Sequence, residues 1–314
     1  MAADHATSAE LRFRAMGSEC HIIVVGGHSD AVGVARSRID ELERRWSRFV
    51  PTSEISILNR SQGIPVLVSD DTRLLVARAL EANHITGGRF DATVLGDVIR
   101  AGYDRPFDQL PGDPRGISDL FPGSINVIGP TVLLAPGTGF DPGGIGKGLA
   151  ADTVAAELSA AGAAGVCINL GGDIHVEGLA PQEEGWTIAI DHPETTDPLT
   201  TLGLATGAVA TSTSLLRRWT SGSEVRHHLI DPATGNPAET DVTLVSVVGA
   251  SAWRAEVIAK ACLLAGSDGW LELVSGTGLE AMAVTRDGAV LCTPGLSRFT
   301  DFIPHQLFRE GISP

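Results

Sequence analysis

The sequence predicts an α+β fold, and three observations point there. Helical and strand patterns are interspersed without the regular strand–helix–strand alternation of a doubly wound parallel sheet. The 37 glycines and 17 prolines cut the 314 residues into many short segments, the rhythm of a sheet-rich fold with helices inserted. Hydrophobic residues make up 43% of the chain, enough to bury the core of one large domain or two small ones and too many for a disordered polypeptide.

The elements follow in order. Residues 20–25 read as a strand. Residues 30–49 have helical spacing, with Val32, Val34, Ile39, Leu42 and Trp46 on one face and Asp30 placed to cap the start. A second helix over 70–82 turns Leu74, Leu75, Ala77 and Leu80 inward. Strands within 125–134 flank the turn Gly129-Pro130. A third helix spans 148–161 and is opened by a Gly-rich loop. Segments 166–170, 187–190 and 242–248 are strands, and 253–264 is a helix. Segments 282–285 and 289–292 form a hairpin across Arg286-Asp287-Gly288. No low-complexity tract or obvious internal repeat divides the chain.

Charge removes several function classes. Lys and Arg number 23 against 38 Asp and Glu, a net charge of −15. A protein that neutralises the phosphates of DNA or RNA carries the opposite balance, so no nucleic-acid partner is expected, and an anionic membrane surface is disfavoured for the same reason. Aromatic residues are 5% of the chain with one Tyr, too few for a base-stacking surface. Apolar runs such as 22–25 are far shorter than the roughly 20 residues of a membrane helix, so no membrane insertion is expected. Residues 1–11 are polar and lack the apolar core of a signal peptide, and a cytoplasmic protein is expected. Cys20, Cys167, Cys262 and Cys292 lie far apart with no CxxC pair, which favours free thiols over a disulfide.

Three clusters can carry chemistry. The densest is the stretch 137–148, Gly-Thr-Gly-Phe-Asp-Pro-Gly-Gly-Ile-Gly-Lys-Gly, leading into a helix. Glycines let backbone N–H groups approach an anion, the helix N-terminus adds partial positive charge, and Lys147 adds a full one. The pattern suggests a phosphate cradle; the plain alternative is a tight turn into a helix. It is not a Walker A loop, because Asp141 stands where Gly is required and Gly148 where Ser or Thr should hold magnesium. The second cluster is Asn169-Leu170-Gly171-Gly172-Asp173, either a close approach to a ligand or an ordinary turn. The third runs from Arg226 to Pro237, where His228 and Asp231 lead into a turn. A His beside a carboxylate serves as a general base or binds phosphate; the alternative is a strand with one buried and one exposed His. HExxH, GxSxG, zinc CxxC and EF-hand patterns are missing, so no nucleophile is announced.

These clusters, in this order, resemble the FAD:protein FMN transferase (ApbE-type) family over residues 13–266. Arg14-Ala15-Met16-Gly17-Ser18 is similar to its opening Met-Gly-Thr element. Trp46-Ser47-Arg48-Phe49 with Ser53-Glu54-Ile55-Ser56-Ile57-Leu58-Asn59 is similar to its Ser-Glu-Ile-Ser…Leu-Asn segment. Gly87-Gly88-Arg89-Phe90-Asp91-Ala92-Thr93-Val94 is similar to its Gly-Ala-Phe-Asp-Pro-Thr-Val element, and Ala210-Thr211-Ser212 and His228 to Pro237 follow. The resemblance implies a T-fold-like architecture of antiparallel sheets flanked by helices, with an FAD cleft between two lobes. It implies one domain over 13–300, after a flexible segment 1–12 and before a tail 301–314. The implied reaction moves FMN from FAD onto a Ser or Thr hydroxyl of a flavin-accepting target protein and releases AMP, usually with magnesium. Phosphoryl transfer is mostly positioning and charge neutralisation, and a nucleophile supplied by the partner fits a chain that announces none.

The resemblance also implies site residues. Met16 and Phe49 would contact the rings of FAD, Arg89, Phe90 and Asp91 would line its cleft, and Asp141 and Lys147 would contact it. Leu229 or Ile230 would pack on it. His228 and Asp231 would handle the acceptor hydroxyl. The Gly144 carbonyl and Glu256 would sit at the metal. The chain departs from the family in one helix: where Ala-Asp-Ala-Leu-Ala-Thr-Ala is common, Ala255-Glu256-Val257-Ile258-Ala259-Lys260-Ala261 stands here. Glu256 can still ligate magnesium, but a charged Lys260 has no lone pair to offer. Three readings stay open. Lys260 takes over the metal's task as a catalytic point charge; metal assistance is lost and the protein binds FAD, or hydrolyses it, without flavinylating a protein; or Glu256 and Lys260 are an ordinary helix-surface pair.

Overall fold

The structure, a computed structural model, describes residues 7–114, 116–182 and 185–304. Residues 1–6 of the expected flexible segment and 305–314 of the expected tail lie outside the described residues. The first half holds β1 (Ser8–Ala15), β2 (Ser18–Gly26), α1 (Ala31–Trp46), α2 (Glu54–Asn59), β3 (Val66–Leu67) and α3 (Asp70–Ile85). It continues with α4 (Leu95–Arg100), β4 (Ile125–Ile128), β5 (Thr131–Leu134) and α5 (Gly146–Ala160). Then come β6 (Ala163–Leu170), β7 (Asp173–Gly178), β8 (Trp186–Ile190), β9 (Thr200–Leu204), β10 (Gly207–Thr213), β11 (Arg218–Ser221) and β12 (Glu224–His227). The chain closes with β13 (Ile230–Asp231), β14 (Asn236–Pro237), β15 (Val242–Gly249), α6 (Ala252–Ser275), β16 (Glu280–Thr285) and β17 (Val290–Cys292).

Eight strands form the main sheet in the order β1-β2-β6-β7-β10-β15-β16-β17, every neighbour antiparallel. In β2 the alternation buries Cys20, Ile22 and Val24 under the helices, as a half-buried strand requires. The strand β15 is buried on both faces: Val245 and Val247 meet α6, while Leu244 and Val248 meet the β8–β9 hairpin. The sheet therefore lies between a helical layer and a two-stranded cover, the expected antiparallel, helix-flanked α+β architecture.

Two neighbouring hairpin turns aim at the same place. The β1–β2 turn is Met16-Gly17 and the β6–β7 turn is Gly171-Gly172, and all four residues have φ between 51° and 95°, the left-handed geometry of tight two-residue hairpins. Because Cys20 pairs with Leu170, the two turns end side by side. A Cβ on Gly171 would lie 2.5 Å from the Ser18 Cβ, so only glycine lets them touch.

Several local expectations are corrected. The strand β1 begins at Ser8, so residues 8–12 are ordered in the sheet and not part of a flexible lead. Asp30 makes no side-chain cap, because its backbone is not extended and α1 starts at Ala31. Val34, Leu74 and Leu80 are exposed; the inward face of α3 carries Leu75, Val76, Ala79 and Ala82. The helix expected to end at 264 runs on to Ser275 after a break at Gly266 (φ 70°, ψ −178°), a conformation that glycine alone adopts freely. Among the described residues, no helix is long and apolar enough to cross a membrane.

Candidate functional site: a cleft at the hairpin turns

A cleft of about 700 Å³ opens where the two hairpin turns, the end of α1, the Gly-rich loop, β10 and the first turns of α6 converge. That is the usual size of a small-molecule site. The Gly-rich loop is held from behind. Asn59, the last residue of α2, donates from Nδ2 to the Phe140 carbonyl (2.9 Å) and accepts the Phe140 N–H at Oδ1 (2.6 Å). The Asp141 N–H donates to the Ala92 carbonyl at 2.7 Å.

The loop's backbone donors are largely engaged within the protein. The Gly143 N–H donates to Asp141 Oδ1 (3.2 Å), and the Gly146 N–H to the Pro142 carbonyl (2.9 Å). The Gly148 N–H, in the first turn of α5, donates to Glu256 Oε2 at 2.8 Å. Glu256 thus occupies, as an internal anion, the helix N-terminus that would otherwise be open to an anionic ligand. Lys147 is equally committed, paired with Asp173 and 3.4 Å from Glu256 Oε1. Burial alone would lower its pKa; the two carboxylates outweigh that and hold it above the ordinary lysine value. Burial and the charge of Glu256 push the Asp173 carboxyl upward.

Lys260 has a different setting. It is buried, its Nζ lies 3.3 Å from the Gly143 carbonyl, and it sits 5.1 Å from the centre of the Phe90 ring. Among the described residues it forms no ion pair within 4.0 Å. Burial lowers its pKa, opposed by the more distant charges of Asp141, Glu256 and Asp91. Gly144, at φ 92°, makes room for it: a Cβ there would lie 2.8 Å from Lys260 Cδ.

His228 lines the same cleft with its Nδ1 buried and without a hydrogen-bond partner. Burial, then the positive charges of Arg217 and Lys260, hold its pKa well below 6.5, so the ring is neutral at pH 7. Arg48 lies over the rings of Phe49 (4.2 Å) and Tyr103 (4.6 Å), which contact each other at 5.8 Å, and sits 3.5 Å from Asp141. Arg217 donates to the Gly17 carbonyl (3.0 Å) and to Ser18 Oγ (3.1 Å), tying β10's exit to the first hairpin turn.

Of the residues expected at the site, Met16, Phe49, Asp141, Gly144, Lys147, His228, Leu229, Glu256 and Lys260 all line the cleft. Five do not. Asp231 Oδ1 accepts the Ala233 N–H at 3.0 Å and shapes its own turn. Ile230 is buried with Val94, Val98, Ala101 and Trp219 behind the wall. Asp91 Oδ1 accepts from the Thr93 N–H and hydroxyl, both at 2.7 Å. Phe90 is fully buried beneath Lys260, and the guanidinium of Arg89 lies toward Gly269 on the far leg of α6. Sequence reasoning missed Tyr103, Asp173 and Arg217 as cleft residues. Asp173 closed a motif already noticed; Tyr103 and Arg217 stand in no motif.

The donors expected for magnesium do not fit a metal. Both Glu256 oxygens face cationic or N–H partners, and the Lys260 ammonium sits on the Gly-rich loop's Gly143 carbonyl, next to the Gly144 carbonyl expected there. Among the described residues no group of three His, Cys, Asp or Glu is placed to hold a metal ion. A divalent ion about 4 Å from that ammonium would be repelled by about 8 kcal/mol at an effective dielectric constant of about 20.

Comparison with known proteins agrees with this architecture. A family model described as the ApbE family matches residues 16–283. The FAD:protein FMN transferase of Treponema pallidum (strain Nichols) is 30% identical over 271 residues, 78% of this chain and 74% of that protein. The FAD:protein FMN transferase of Rhodobacter capsulatus is 27% identical over 88% of this chain, which spans about half (54%) of that longer relative. In three dimensions the chain is similar to the ApbE protein of Thermotoga maritima, with a TM-score of 0.85 at 23% identity, covering 94% of this chain and 100% of that one. It is likewise similar to the apo flavinyl transferase ApbE of Pseudomonas stutzeri, with a TM-score of 0.83 at 22% identity over 96% and 99%. The fold, the order of its motifs and the extent of the family match agree: this chain belongs to the ApbE family.

Proposed function

We propose that this protein transfers FMN from FAD to a Ser or Thr hydroxyl of a target protein and releases AMP. The observation that carries the reading is His228, a half-buried, neutral imidazole whose buried Nδ1 has no partner, in a cleft shared with an unpaired ammonium. FAD is the substrate. The acceptor hydroxyl oxygen bonds to the flavin-side phosphorus, the phosphoanhydride P–O bond breaks, and AMP leaves with its electron pair. His228 Nδ1 takes the hydroxyl proton in the tautomer that leaves that atom free. The two negative charges of the FAD phosphates offset the cations around His228, so the ring accepts a proton more readily with substrate bound. Met16, Leu229 and the Phe49–Tyr103 ring pair, with Arg48 over both rings, supply apolar and π surface for the rings of FAD. The relatives' activity as FAD:protein FMN transferases supports the reading.

The test is incubation with FAD and the source cell's protein extract, followed by denaturing electrophoresis and flavin fluorescence. The expected result is a fluorescent band that survives denaturation. His228→Gln should lose the band while still binding FAD; a variant that labels at the parent rate removes His228 from the chemistry.

A further inference from the structure

We propose that the Lys260 ammonium is the cation that holds the FAD phosphates, doing in this chain what a divalent metal would do, so that substrate binding and turnover need no metal ion. The inference rests on the flavin-transfer reading for its turnover arm and on the cleft alone for its binding arm.

Four observations converge. The Gly143, Gly146 and Gly148 N–H groups of the Gly-rich loop already have partners, so the loop is a poor phosphate cradle by itself. The other lysine of the cleft, the partly buried Lys147, is neutralised by Asp173 and Glu256. Lys260 is buried in the cleft wall, bonded only to a carbonyl and resting over the Phe90 ring, with no carboxylate in ion-pair reach among the described residues. A buried ammonium without an anion is costly to the protein and is relieved by an anionic ligand. Finally, the geometry that presents it is built in: α6 carries Lys260 one helical turn beyond Glu256, and the missing side chain of Gly144 leaves the slot its stem occupies. A phosphate reaching Nζ meets a mobile point charge with three donors, the chemistry by which lysine serves phosphate.

The test measures FAD, AMP and riboflavin binding to the protein by fluorescence titration or calorimetry, in chelator and with added magnesium, alongside AMP release from FAD in the presence of the source cell's protein extract as the supply of acceptor hydroxyls. The wild-type protein is expected to bind FAD equally well in chelator and in magnesium and to release AMP at the same rate in both. Lys260→Gln and Lys260→Met should lose at least about tenfold in affinity for FAD and AMP while binding riboflavin, which has no phosphate, like the parent. Thermal melting should show both variants folded, because each removes a buried charge. Wild-type binding or turnover that collapses in chelator and returns with magnesium overturns the proposal; so does a Lys260 variant that keeps the parent's FAD affinity. Selective loss of FAD over riboflavin affinity, in a protein that releases no AMP under any condition, supports the phosphate contact and sinks the transfer reading instead. Wild-type protein that binds no FAD overturns both.

Discussion

Lys147, partly buried, and Lys260, buried, line one cleft but stand in opposite electrical settings, and their removal should have opposite consequences. Lys147→Met strands Asp173 and Glu256 together and should cost about 3 kcal/mol or more in chemical denaturation. Lys260→Met removes an ammonium with no ion-pair partner and should leave the stability equal or raised. Equal losses for the two variants would contradict the distinction. His228 gives a second residue-scale expectation. Its folded pKa lies below the ordinary 6.5, so above pH 6.5 the ring is neutral in both folded and unfolded chains and its contribution is complete. As pH falls below 6.5, the unfolded chain binds a proton that the folded chain refuses, and stability is lost at about 1.4 kcal/mol per pH unit until the folded pKa is passed. His192 and His227, both lowered by burial, add in the same direction. The Asp173 carboxyl, raised by burial, works in the opposite direction over the same range. The decisive reading is therefore the difference: from pH 7.5 down to 5, His228→Gln should lose less stability than the parent. The Lys260 departure was legible because it interrupts a helix motif. The neutralisation of Lys147 was not, because its partners lie 26 and 109 residues away and only the folded sheet brings them in.

The elements that present these residues were legible in proportion to their length and periodicity. The helices α1, α3 and α5, each 15 or 16 residues long, stand close to where their patterns place them. The helices α2 and α4, with six residues each, are too short to show a period. Yet α2 matters to the site, since its terminal Asn59 clamps the Gly-rich loop. That loop read as a phosphate cradle on composition. Its glycines instead serve packing and presentation: Gly148 admits the Ala252 carbonyl, which a Cβ would approach to 2.5 Å, and Gly144 admits the stem of Lys260. Gly144→Ala therefore adds a methyl at φ 92° and against Lys260 Cδ. It should destabilise the protein by about 1–3 kcal/mol and weaken FAD binding with riboflavin binding preserved. A variant whose FAD affinity matched the parent's would detach the loop from the lysine.

At the scale of the molecule, the α+β class and the cleft-bearing segments were readable, but the strand order was not. The pairings of β2 with β6 and of β7 with β10 join segments far apart in sequence, and no local pattern encodes them. The cleft inherits that non-locality: its walls run from Arg14 to Lys260, and Arg217, which ties β10 to the first hairpin turn, is invisible until the sheet closes. The outcome is an acidic protein, net charge −15, with a cleft that gathers His228, Lys260, Arg48 and Arg217. Arg217 and Lys260, which form no ion pair among the described residues, are the charges there that can meet a dinucleotide's phosphates. The most direct test of the whole account is quantification of AMP together with the mass of covalently flavinylated protein, after the purified chain meets FAD and the source cell's proteins in chelator. The account predicts one AMP for each FMN attached, with attachment at Ser or Thr. AMP with no attached flavin, or FAD bound and never cleaved, would contradict it.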